Sequence, residues 1–118
     1  MHTYLLLLHE TPADAADMSP AEMQALVAEY AAWAARLAEA GHLVGGEKLA
    51  DDGGRHLRLV NGRAVASDGP YAEAHDVVGG FFLIQAADDA AAEAIAATCP
   101  HLRGRQWLAL RRIDPVRS

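Results

Sequence analysis

The chain has a single cysteine, Cys99. No disulfide can close within it, and such a composition fits a reducing compartment. Positive charge is scarce as well: 10 Lys and Arg stand against 16 Asp and Glu, for a net charge of −6. A dedicated nucleic-acid binder would carry a basic stripe, so nucleic acid is not expected as a partner. The arginines that gather near the C-terminus, Arg103, Arg105, Arg111, Arg112 and Arg117, lack the interleaved aromatics that stack on bases. Long apolar runs are missing too. Tyr4 to Leu8 is five residues long and is followed by His9-Glu10. That is too short for a signal segment or a membrane span. The expectation is a soluble, cytoplasmic protein with no membrane partner.

Cofactor signatures are also absent. His2, His9, His42, His56, His75 and His101 are scattered, with no His-x-x-x-His or Cys-x-x-Cys spacing, so no metal is expected. Gly45-Gly46 and Gly53-Gly54 do not fit a phosphate-binding loop, and no nucleotide or other cofactor is implied. Cys99 precedes Pro100 at the expected end of a helix, where the dipole disfavours a thiolate.

What is present is a dense set of start and stop signals. Ser19-Pro20-Ala21-Glu22 combines an N-cap serine, a proline at the first helical position and a glutamate three residues after the cap. Met23, Leu26, Val27, Tyr30, Trp33, Ala34 and Leu37 then form one helical stripe, and Gly41 supplies the stop. Asn61-Gly62 predicts a hairpin between His56–Val60 and Ala64–Ala66. Asp88 or Asp89 caps a second helix rich in alanine. Strands are expected at Thr3–Leu8, His42–Leu49, Gly80–Ala86 and Gln106–Ile113.

The order is β-α-β, hairpin, β-α-β in one domain spanning residues 1–118. It is compatible with an α+β, ferredoxin-like split β-α-β arrangement. Two helices cover one face of such a sheet. Leu5-Leu6-Leu7-Leu8, Phe81-Phe82-Leu83-Ile84 and Trp107-Leu108-Ala109-Leu110 are apolar at both parities, so the second face also needs cover. A second copy of the chain is the simplest cover, which predicts a homodimer with sheets packed face to face.

Asp68-Gly69-Pro70-Tyr71-Ala72-Glu73, with Gly79-Gly80-Phe81 downstream, resembles the DGPF family of the YCII-related (YciI-like) superfamily. Gly41, Leu43 to Leu49 and Cys99-Pro100 add to the likeness in order and spacing. The chain departs from the usual motif at Tyr71, Ala74, His75 and Asp76. The resemblance implies a dimeric α+β barrel. Some members of the superfamily look like small lyases or dehalogenating enzymes using a His–Asp pair. Others are similar to modules associated with transcriptional sigma factors.

Two roles follow as expectations. One is binding of a small organic molecule in a cleft near the Asp68–Tyr71 loop, with lyase-like or proton-transfer chemistry. Asp68 or Glu47 would be the base, and Tyr30, Trp33, Tyr71 and Glu73 would contact the substrate. The other is a non-catalytic accessory or regulatory domain with a protein partner. Close carboxylates that push one pKa upward would favour the first. Asp68 simply stabilising its turn, with Tyr30 and Trp33 packed in the core, would favour the second.

Overall fold

A computed structural model describes residues 1–12, 17–69 and 76–115. Its strands are β1 (His2–Glu10), β2 (Leu43–Lys48), β3 (Arg55–Val60), β4 (Arg63–Asp68), β5 (Val77–Ala86) and β6 (Trp107–Arg112). The helices are α1 (Pro20–Glu39) and α2 (Asp89–Ala96). Four strands form an antiparallel sheet in the order β2-β5-β1-β6, and β3 and β4 pair only with each other. The chain is thus α+β, and the sheet order is compatible with a ferredoxin-like arrangement into which a hairpin is inserted. Neither helix is long and apolar enough to cross a membrane.

The local signals act where the sequence places them. The Ser19 hydroxyl accepts the Glu22 N–H at 3.1 Å, and the Glu22 carboxylate accepts the Ser19 N–H at 3.2 Å. Two of the unpaired donors at the start of α1 are satisfied in this way. Gly41, at φ +80°, ends the helix; its N–H and that of His42 reach back to the carbonyls of Ala38 and Leu37. The Asp88 carboxylate takes the Ala91 N–H at 2.8 Å, while Asp89 accepts the Tyr4 hydroxyl at 2.7 Å and ties α2 to β1. At the hairpin tip Asn61 and Gly62 both have positive φ, as a tight two-residue hairpin turn requires.

The sheet has two unequal faces. Tyr4, Leu6, Leu8, Ile84 and Ala86 point to the helices and join Trp33, Leu37, Ala92, Ala96 and Cys99 in the core. On the other parity, Leu5 lies opposite Leu83 and Leu7 opposite both Phe81 and Ala109. No described element covers these residues, and all remain partly exposed. The apolar pattern at both parities is therefore real, with only one face covered within the chain.

The stripe on α1 behaves differently from the sequence expectation. Only Trp33 and Leu37 are buried; Met23 and Val27 are exposed, and Leu26 and Tyr30 are half-buried. The first half of α1 overhangs strands that carry glycine in place of side chains, and a cleft opens between them.

Candidate active site

Gly46 on β2 and Gly79 and Gly80 on β5 line the floor of that cleft. Its volume is about 1130 Å³. Met18, Met23, Leu26 and Val27 make one apolar wall, and Leu8 and Phe82 continue it on the sheet side. The glycines are required by space. A Cβ on Gly46 would stand 2.7 Å from a Phe82 ring carbon, and one on Gly79 would lie 1.7 Å from Glu10 Oε1. Gly79 is also the extra residue of a β-bulge: Leu8 pairs with Gly80 and His9 with Val78, which leaves Gly79 without an opposite number. The carboxyl of Glu10 occupies the space left by the missing side chain.

Polar groups converge at one end. His101 is buried, and its Nε2 lies 2.7 Å from the His9 carbonyl oxygen. A carbonyl can only accept, so Nε2 carries the hydrogen and, in the neutral ring, Nδ1 is the acceptor. Tyr30 Oη, 2.7 Å from Nδ1, therefore donates its proton to His101. Arg103 Nη1 donates to the same Tyr30 oxygen at 2.8 Å and to the Pro100 carbonyl at 2.8 Å. Burial pushes the His101 pKa down and keeps the ring neutral, which is the form this chain of bonds needs. Burial also pushes the Tyr30 hydroxyl up, against the opposing pull of Arg103.

Two features make this end chemically distinctive. Arg103 is half-buried and forms no ion pair with any described carboxylate. Glu10 has its pKa raised, first by burial and further by Asp51, while Lys48 and Arg103 work the other way. Its carboxyl is thus drawn toward the neutral form. Beside it lies a smaller hollow of about 510 Å³ that shares Glu10, Asp51 and Gly79 with the main cleft. Cys99 is buried, and burial raises its thiol pKa, so it is no nucleophile.

The residues singled out from sequence are dispersed. Glu47 and Tyr30 line the cleft. Trp33 lies in the core beneath it, 1% exposed, with Nε1–H donating to Thr98 Oγ1 at 2.8 Å and its ring edge-on to Phe82. Asp68 is at the end of β4, its side chain 90% exposed and paired with Arg55, and it lines neither hollow. Tyr71 and Glu73 lie outside the described residues, as does His75.

Asp76 has a partner that its neighbours in sequence did not suggest. It bonds His9 Nδ1 at 2.9 Å, and the His9 ring stacks on Trp107 at 3.8 Å between centroids. Neither residue of this His–Asp pair lines the main cleft, and Asp76 lines the smaller hollow beside it. No group of three or more metal-ligating side chains forms among the described residues.

Sequence reasoning missed Glu10, His101 and Arg103. Tyr30 meets His101 across 71 residues and Arg103 across 73, so no local spacing announces them. A usable signal was the pair of double glycines, Gly45-Gly46 and Gly79-Gly80, which the structure places on two paired strands beneath a helix of large apolar residues. No curated protein matches the chain. The YCII-related domain model matches residues 2–113, nearly the whole length. The chain therefore belongs to the YCII-related domain family.

Proposed function

We propose that the protein binds a small amphipathic carboxylate in the cleft under α1 and transfers a proton to or from it. The observation that carries this reading is Arg103, a guanidinium without a carboxylate partner among the described residues, at the end of an apolar cleft. Its contact with Tyr30 uses one nitrogen, Nη1, and leaves the rest of the planar fork for an anion. The apolar wall of α1 takes the hydrocarbon part. Glu10 is the acid–base group, because its carboxyl is drawn toward neutrality by burial and reaches into the same space. Glu47 stands on the β2 side as a second carboxylate, and Tyr30 orients the ligand.

The working unit is a homodimer with sheets face to face, a dimeric α+β barrel. Its support is the row Leu5, Leu7, Phe81 and Leu83, apolar and uncovered within one chain. Size-exclusion with light scattering tests it directly; a clean monomer counts against it.

Calorimetric titration with aliphatic and aryl carboxylates, set against their amides and alcohols, tests the ligand class. The acids bind and the neutral analogues bind more weakly. Arg103→Gln erases that preference, a loss of about ten- to hundredfold for one charge-assisted contact. Glu10→Gln keeps binding and abolishes exchange of the ligand's α-protons with deuterated water. Equal binding of acids and amides overturns the ligand class. A cleft that takes none of these compounds returns the protein to the accessory role, with a protein partner.

A further inference from the structure

The hydrogen bonds at the arginine end of the cleft have a direction, and His101 sets it. Its Nε2–H is spent on the His9 carbonyl at 2.7 Å. Nδ1 of the neutral ring is therefore a bare acceptor, and the Tyr30 hydroxyl, 2.7 Å away, points its hydrogen at it. Arg103 Nη1 donates to the same Tyr30 oxygen at 2.8 Å. The hydroxyl hydrogen is thus held inside the protein. A carboxylate seated on Arg103 meets the oxygen of Tyr30, an acceptor, where a donor would suit it better.

A proton on His101 reverses the chain. Both ring nitrogens then donate, Nε2 still to His9 and Nδ1 to Tyr30. The Tyr30 oxygen accepts from His101 and Arg103 together, and its own hydrogen is turned away from both. Tyr30, His101 and Arg103 all line the cleft, so a carboxylate on Arg103 gives that hydrogen an acceptor. The balance is simple: one proton enters the ring from solvent, the new bond is Nδ1–H, and the phenol keeps its own hydrogen.

The anion also removes an electrostatic obstacle. Burial first, and then the charges of Arg103 and His9, disfavour a positive ring at His101. The ionisable groups around it are Tyr30 from α1, His9 and the following Glu10 from β1, and Cys99 and Arg103 from its own segment. A carboxylate on Arg103 offsets the guanidinium charge that opposes protonation. Ligand and proton therefore favour each other, and by linkage the coupling is reciprocal.

We infer that His101 is a positioning residue for the ligand's carboxylate, acting through Tyr30: anion and proton bind together, His101 holding the proton and Tyr30 turning its hydroxyl to the ligand. This rests on the carboxylate-binding reading above and adds a coupling of that site to pH. Calorimetry of an aliphatic carboxylate in buffers of different ionisation heat counts the protons taken up. Glu10→Gln is the background, so that a second titrating carboxyl is silent. The range is about pH 5.5 to 7.5, where the ligand stays ionised.

Uptake approaches one proton, and affinity rises up to about tenfold for each pH unit lost. The His101 ring resonances, resolved from those of His9, move toward the protonated form when the acid is added. Tyr30→Phe keeps the imidazole and loses the coupling, with an unchanged circular dichroism spectrum. His101→Gln takes up no proton and still prefers acids to amides. Binding of acids over amides with no proton uptake keeps the carboxylate site and overturns the role of His101. Uptake that persists in full in Tyr30→Phe, or that registers on His9 alone, overturns it as well. Acids that bind no better than amides overturn the carboxylate reading and this one with it.

Discussion

The two halves of α1 carry the same stripe of apolar residues and meet opposite fates. In the second half, Trp33 and Leu37 sink into Tyr4, Ile84, Ala96 and Cys99 and are nearly lost to solvent. In the first half, Met23, Leu26, Val27 and Tyr30 face Gly46, Gly79 and Gly80 and stay partly or wholly accessible. The helix is not what differs. The strands beneath supply side chains at one end and bare backbone at the other, and that decides whether an apolar face becomes core or the wall of a cleft.

The largest break in this comparison comes from the packed half. Trp33→Ala costs about 3–5 kcal/mol and Leu37→Ala about 2–5 kcal/mol in urea unfolding, as buried large-to-small changes do. A smaller cost at Trp33 means that the packed half is looser than described. Next is the glycine floor. Gly79→Ala drives a methyl into the place of the Glu10 carboxyl, expels it from the cleft and removes proton transfer; the overpacking costs about 1–3 kcal/mol. Full retention of activity in Gly79→Ala would separate Glu10 from the chemistry.

The pH response follows from His101. Its folded pKa lies below the value of about 6.5 for an unfolded histidine. Its contribution to stability is therefore complete above that value and is lost as pH falls through the folded pKa. Unfolding free energy declines on acidification, and His101→Gln starts lower but lacks this slope. Glu10, raised by burial, has the opposite sense. Its contribution is present below the unfolded carboxyl value and disappears as pH rises through its own folded pKa. Glu10→Gln thus leaves the His101 slope standing. The smallest effect belongs to the open half: Val27→Ser, 56% exposed, shifts stability by no more than about 0.5 kcal/mol while weakening the binding of apolar acids.

Much of the fold was legible because its signals are local. Ser19-Pro20-Ala21-Glu22, Gly41, Asn61-Gly62 and Asp88 each act within a few residues, and all do what their chemistry requires. Apolar residues at both parities correctly announced a sheet with a second face to cover. The site was legible only in part. Glu47 and Tyr30 line the cleft, but Trp33, on the same stripe, is rotated into the core. Glu10 looks like the polar end of a strand until the bulge at Gly79 gives its carboxyl room. His101 and Arg103 gain their meaning from Tyr30, which only the tertiary fold brings to them. The Asp68-Gly69 turn was read as a place for a base. In the structure Gly69 packs against Gly53, and its N–H reaches the Gly54 carbonyl and closes the root of the β3–β4 hairpin.

The bare floor under α1 also makes the cleft adjustable. Its depth is set by a few backbone positions rather than by a set of interlocking side chains, so capacity can change without rebuilding the core. A methyl at Gly46 or Gly79 would have to displace Phe82 or Glu10, so the adjustable side is the overhanging wall, where shortening Met23 or Leu26 would deepen the chamber. Chains sharing this scaffold can thus be sorted by the size of ligand they admit, one small substitution at a time.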